Sequence, residues 1–272
     1  MSQTNESKKD EVKQYRQAAR RGDAEAMYEL GDCYIYGCGV PQNKAKAKEW
    51  YDKAIKLWRE KAEQGDAAAQ YRLARCYDSG KDGCVPKDKT EALKWYRQAA
   101  EQGHVGAQLA LADCYYHGWG VSEDKTEAVQ WYRKAAEQGS FIAMFSLGEH
   151  YCGSRNRETI DAAEGMRWFH KAAEQGHVDS QHKLGKCYLN GTCVSENEAE
   201  AVKWFRKAAE QDDILAGFAQ YELGRCYIYG WGVPQDIIEA EKCFRAAVQL
   251  LRGDEKIDTM LAAIELTRKE ME

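Results

Sequence analysis

The stretch at 103–138, GHVGAQLALADCYYHGWGVSEDKTEAVQWYRKAAEQ, returns along almost the whole chain. Its pattern is G-x-x-x-A-Q-x-x-L-x-x-C-Y, then G-x-G-V, then E-A-x-x-W-Y-x-x-A-A-E-Q. A self-similar period in the mid-thirties restricts a chain to a solenoid, because one such unit cannot bury its apolar face alone and stacks on its neighbours instead. The expected architecture is a single elongated all-α array that binds along one extended face.

Within each copy the spacing sets the elements. Counting from the glycine that opens a copy, the first helix carries Ala, Leu and Tyr at positions five, nine and thirteen, as in Ala26, Leu30 and Tyr34 or Ala107, Leu111 and Tyr115. Steps of four place all three on one stripe. A small residue follows the Leu in every copy (Gly31, Ala74, Ala112, Gly148, Gly185, Gly224) and allows a neighbouring helix to approach closely. The first helix is expected to stop at Gly37, Gly80, Gly118, Gly153, Gly191 and Gly230, since glycine takes the left-handed C-terminal conformation without steric cost. A buried Val then follows at Val40, Val85, Val121, Val194 and Val233. Capping boxes are expected to open the second helices, with the pairs Asp88–Glu91, Asp124–Glu127, Asp161–Glu164, Asn197–Glu200 and Asp236–Glu239. Trp95, Trp131, Trp168 and Trp204 repeat on the second-helix stripe and read as packing residues, and each second helix ends at E-Q-G.

Taken in order, residues 1–7 are polar and terminal and are expected to be disordered. Residues 8–21 place Tyr15, Ala18 and Ala19 in the W-Y-x-x-A-A slots, which predicts an N-terminal capping helix. Six copies begin near 22, 65, 103, 139, 176 and 215 and fill 22–252; a last helix over 257–271, within 253–272, closes the other end. The first copy is 43 residues long, with IKLWREK inserted as two extra helical turns. The fourth copy has GSRNRET in place of G-x-G-V, which predicts an exposed loop at 152–159, and three extra residues precede the sixth.

Charge excludes several functions. The net charge is −5 with no basic stripe, so nucleic acid is not an expected partner. The N-terminal sequence has no apolar run of the kind a signal peptide or a membrane span needs, so a cytoplasmic location without membrane insertion is expected. Cys33, Cys76, Cys114, Cys187 and Cys226 share one slot, filled by His150 in the fourth copy. Cys38, Cys84 and Cys193 fall in loops, and Cys152 and Cys243 stand alone. With no C-x-x-C, these read as reduced structural thiols. His177, His182 and Cys187 do not share one helix face, so no metal site is expected, nor any cofactor. Hydrolase, zincin and P-loop signatures are absent from the sequence, and the G-x-G-V glycines read as turns between helices.

The run A-x-x-x-L-G-x-x-Y-x-x-G-x-G-V-x-x-D-x-x-E-A-x-x-W-Y-x-K-A-A-E-Q-G resembles the Sel1-like repeat, a relative of the tetratricopeptide repeat, over about residues 8–250. The resemblance implies a right-handed superhelical solenoid of paired antiparallel helices acting as a non-catalytic scaffold or adaptor for a protein or peptide. Some cysteine-rich members are secreted, with one disulfide per repeat, and some carry a β-lactamase label. A secreted or host-interaction effector with hydrolase activity is therefore the alternative reading. The second repeated cysteine of that subgroup is missing here.

By the same analogy the first helices line a concave groove that holds a peptide. Position seven contributes Tyr28, Tyr71, Leu109, Phe145, His182 and Tyr221. Position eleven contributes Asp32, Arg75, Asp113, Glu149, Lys186 and Arg225. The later positions contribute Tyr36, Tyr116, His117, Asn190 and Tyr229, with Leu189 and Ile228 beside them. Rigid rings that anchor and charges that select register suit peptide recognition. Trp119, Trp231 and Cys38, each between two glycines, read as packing onto the next loop.

Overall fold

A computed structural model describes residues 2–80, 85–153, 161–211 and 213–251. Every regular element among them is an α-helix. They fall into two compact units, 1–138 and 139–272. The first unit holds α1 (Ser2–Arg20), α2 (Ala24–Tyr36), α3 (Lys44–Glu63), α4 (Ala67–Ser79), α5 (Lys89–Glu101), α6 (Val105–His117) and α7 (Lys125–Glu137). The second holds α8 (Phe141–Gly153), α9 (Ala162–Glu174), α10 (Val178–Asn190), α11 (Glu198–Ala209), α12 (Ala216–Tyr229) and α13 (Ile237–Leu251). Within each unit consecutive helices pack on one another, most extensively the two helices of one repeat.

Helix α1 starts at Ser2, so the expected disorder at 1–7 gives way to helix. Gln3, Glu6 and Lys8 are good helix formers, and extending an existing helix needs no new nucleus. The expected closing helix at 257–271 and most of the loop at 152–159 lie outside the described residues.

The first helices end as the glycines dictate. Gly37, Gly80, Gly118, Gly191 and Gly230 adopt φ of 60–75° and return their N–H to the cysteine-slot carbonyl. Gly153 differs, being the last helical residue of α8. Of the five valines that follow, Val85 is buried and the other four are only half-buried, because the short loop spans the end of a helix pair rather than its middle.

The capping boxes form by half. Asp88, Asp124, Asp161, Asn197 and Asp236 accept the N–H of the residue three further on, at 2.9–3.0 Å. The cap residue's own N–H goes elsewhere, to the carbonyl of the position-thirteen tyrosine of the preceding helix: Asp88 to Tyr77, Asp124 to Tyr115, Asn197 to Tyr188, Asp236 to Tyr227. The glutamates are thereby freed for the tryptophans one turn later. Glu91, Glu127 and Glu164 accept the indole N–H of Trp95, Trp131 and Trp168 at 2.9–3.0 Å. Trp131, Trp168 and Trp204 are buried and Trp95 half-buried.

The small residue beside the Leu explains how the two helices of a repeat meet. A β-carbon on Gly31 would stand 2.3 Å from the Tyr51 ring, and one on Gly185 would stand 2.4 Å from the Phe205 ring. The second aromatic of the W-Y pair therefore fits against the small residue of the first helix, and Tyr51, Phe169, Phe205 and Phe244 are fully buried there.

Candidate binding face

Position-seven side chains sit along that ring contact, half-buried in every copy. Tyr28 lies 5.0 Å from Tyr51 and 5.4 Å from Trp58, Tyr71 is 6.0 Å from Tyr96, Phe145 is 5.6 Å from Phe169, and Tyr221 is 5.7 Å from Phe244, centroid to centroid. His182 lies 5.9 Å from Phe205. Leu109 is half-buried at the equivalent place in α6. One side of each is therefore held by the repeat's own core, and three also meet the next repeat: Tyr71 lies 4.5 Å from His104, Phe145 5.5 Å from His177 and His182 6.3 Å from Phe218.

Position eleven divides in two. Where the second helix carries tyrosine, its hydroxyl can reach across: Tyr51 donates to Asp32 and Tyr132 to Asp113. Burial raises the Asp113 pKa, opposed by that hydroxyl bond. These two aspartates are tied to the repeat itself. Arg75 is exposed, with its guanidinium 5.9 Å from the Tyr71 ring centroid. In the second unit Lys186 is exposed, Glu149 meets Lys183 at 2.6 Å, and Arg225 donates to Glu222 at 2.9 Å.

The later positions lie at the helix ends. Tyr36, His117, Asn190 and Tyr229 are exposed, and Tyr116 is half-buried. His117 stacks on Trp119 at 4.7 Å and Tyr229 lies tilted against Trp231 at 4.6 Å, so each of these loop tryptophans meets its own helix end.

In the first unit a cleft of about 200 Å³ opens between α2 and α4, with Trp58 of the extended α3 at its side. Tyr28, Asp32 and Arg75 line it, together with Glu25, Glu29, Arg72, Cys76 and Ser79. Arg72 pairs with Glu25 at 3.1 Å across the gap. Burial, ahead of the nearby Cys76 and Asp32, raises the Tyr28 pKa, so its hydroxyl stays protonated and able to donate. The positions at four and eight complete the stripe of position eleven on a helix, being one turn apart. Trp58 could have been read from the length of the inserted turns.

In the second unit Phe141, Ile142 and Phe218 are 44%, 52% and 44% exposed; His177 lies 4.9 Å from Phe141 and His182 6.3 Å from Phe218. Among the described residues there is no cluster of His, Cys, Asp and Glu suited to a metal ion, and no helix long and apolar enough to cross a membrane.

Helix pairs joined by the same few contacts from copy to copy define a helical-repeat solenoid. The chain belongs to the Sel1 repeat family: matches to the Sel1 repeat cover 24–57, 67–104, 105–140, 142–177, 178–213 and 217–250. Among solved structures it is similar to a protective antigen of uropathogenic Escherichia coli with an SLR fold, at 34% identity and a TM-score of 0.69 over 94% of this chain. This chain spans about half of that protein, 52%. A Sel1 repeat protein from Oxalobacter formigenes is 27% identical over 88% of this chain and 96% of its own length, with a TM-score of 0.61. No curated protein matches. The Sel1 repeat fold is one generally used for protein–protein interaction.

Proposed function

We propose that the protein is a non-catalytic scaffold that binds a peptide or protein segment along the first-helix faces of its repeats. The observation that carries this reading is the cleft between α2 and α4, where residues from positions four, seven, eight and eleven of successive helices surround one space with rings and charges of both signs. Its walls are helices already packed in place, so little order has to be created when a ligand docks. No nucleophile–base pair stands out among the cleft residues, and the cysteine there, Cys76, is buried.

Affinity capture from the native lysate, followed by mass spectrometry, tests the reading with two baits. Wild-type protein is expected to retain a partner that Arg75→Glu retains at least about tenfold less well, since reversing one charge in a specific contact costs 1.4 kcal/mol or more. Equal retention by a folded Arg75→Glu variant removes the cleft from the binding face. Turnover of a small substrate by the purified chain removes the non-catalytic reading.

A further inference from the structure

Three departures from the repeat pattern meet at one spot in the second unit. Cys193 stands where other copies carry the second glycine of G-x-G-V, namely Gly39, Gly120 and Gly232. It nevertheless keeps the glycine's left-handed backbone, with φ 68°, alone among the described non-glycine residues. A β-carbon is unfavourable in that conformation. Gly165 stands where other second helices carry alanine (Ala47, Ala92, Ala128, Ala201, Ala240), and a β-carbon there would lie 2.5 Å from Cys152 Sγ. Cys152 is the third departure, in the slot that holds Ile35, Asp78, Tyr116, Leu189 and Ile228 in the other copies.

The geometry joins all three. Cys193 Sγ lies 3.4 Å from the main-chain oxygen of Cys152, although the two residues are 41 apart in sequence and belong to successive repeats. Burial first, and then a hydrogen bond from Cys193, raise the Cys152 pKa. Elsewhere the loop glycine leaves no room for a side chain: a β-carbon on Gly39 would lie 2.4 Å from the Lys8 carbonyl oxygen, and one on Gly232 would lie 2.4 Å from that of Glu198. Among the described residues only Cys193 puts a side chain at this loop slot, against an adverse backbone preference (the second copy also carries a cysteine, Cys84, before its Val), and only at Gly165 is the second-helix alanine replaced by glycine. Both changes make sense if the two sulfurs must meet.

We propose that Cys152 and Cys193 are a disulfide-forming pair that exchanges with a small disulfide oxidant of the glutathione type and, when joined, staples the fourth repeat to the fifth. The thiolate of Cys193 attacks one sulfur of the oxidant, which leaves as a thiolate, and a mixed disulfide forms at Cys193. Cys152, held protonated until then, loses its proton to solvent and attacks Cys193 Sγ, expelling the second half of the oxidant. Two protein S–H bonds are lost and one protein S–S bond is made; the oxidant's S–S bond is reduced to two thiols, which take up the two protons. Cys187 is the competing thiol, being near enough to influence Cys152, but it is buried in the core and its own pKa is raised by burial. This site is independent of the binding role.

The test uses the full chain equilibrated without oxygen in mixtures of glutathione disulfide and glutathione, quenched by alkylation and digested for mass spectrometry. The expected result is one peptide pair linking Cys152 to Cys193, and two fewer of the ten cysteines open to alkylation. An upward shift of the thermal midpoint by several degrees should accompany it, as closing a long loop constrains the unfolded chain. Cys193→Gly, which restores the loop glycine and should keep the helical circular dichroism, is expected to lose link and shift together. Cys187→Ser is expected to keep both. If Cys152 and Cys193 stay separate where dithiothreitol is fully oxidised, as free thiols or as individual glutathione adducts, the pairing is overturned. A link through Cys187 overturns it equally.

Discussion

His182 shows how much one slot can change in character between copies. Position seven is tyrosine in three copies, and here it is an imidazole facing Phe205 and Phe218, at 5.9 and 6.3 Å. Burial, then the positive charges of Lys186 and Lys183, lower its pKa to about 4. In the unfolded chain the ordinary value is about 6.5. The unfolded state therefore binds a proton more readily between these values, so the stabilisation from neutral His182 is full above pH ~6.5 and is lost as the pH falls to ~4. Burial lowers the pKa of His104, His170 and His177 as well, with the same sign. Urea unfolding at pH 7.5 and 4.5 should show wild type losing more stability on acidification than His182→Phe, which borrows the residue of the Phe145 slot. The expected difference is about 2–3 kcal/mol, from a shift of about two units. Equal losses would mean that His182 titrates normally in the fold.

At the scale of elements, the second helices of successive repeats are tied by a ladder of glutamines. Gln70, Gln108 and Gln181, all buried in first helices, donate to the carbonyls of Ala62, Ala100 and Ala173 at the end of the preceding second helix, at 3.0–3.2 Å. Each in turn accepts from the glutamine closing its own repeat: Gln102 to Gln70, Gln138 to Gln108 and Gln211 to Gln181, at 2.7–2.8 Å. A second contact also recurs from repeat to repeat. Arg16, Arg59, Arg97 and Arg206 donate to the hydroxyl of the position-thirteen tyrosine that follows, and His170 meets Tyr188 there. Helix α1 takes part through Arg16 and Tyr34, so it meets α2 as a second helix meets the next repeat. Gln108→Leu keeps the volume but leaves the Ala100 carbonyl without this donor. It should lower the unfolding free energy by about 1–3 kcal/mol, the cost of a buried polar group left unpaired, as read by urea titration. A change within about 0.3 kcal/mol would show that water replaces the side chain without loss.

For the whole molecule, stability in a repeat array is shared chiefly between neighbours, so damage should stay local. Gly185→Val puts a branched side chain where even a β-carbon meets the Phe205 ring at 2.4 Å, and overpacking of this kind costs about 1–3 kcal/mol. Amide hydrogen exchange should then accelerate most in α10 and α11, less in α9 and α12, and least in α2 to α5. Uniform acceleration along the chain would instead mark one cooperative unit.

The helix pairs, five of the six first-helix stops and the order of the elements were legible in the sequence, because each depends on local spacing: stripes repeating every four residues, glycines at the ends, and Asp or Asn before each second helix. Counting also says which side chains share one face of a first helix. What that face offers a ligand depended on neighbours that counting cannot supply. Asp32 and Asp113 look like selectors of register, yet they accept hydroxyls from Tyr51 and Tyr132, because the ring laid on the small residue beside the Leu ends at position eleven. The capping-box glutamates turn to the tryptophans, because the tyrosine carbonyl already holds the cap N–H. Cys152 and Cys193, unremarked as a pair along the chain, meet because stacking one repeat on the next brings a helix end against a loop 41 residues away. Spacing decides which side chains share a face, whereas hydrogen-bond partners come from other helices, and only their packing decides which polar groups remain for a ligand.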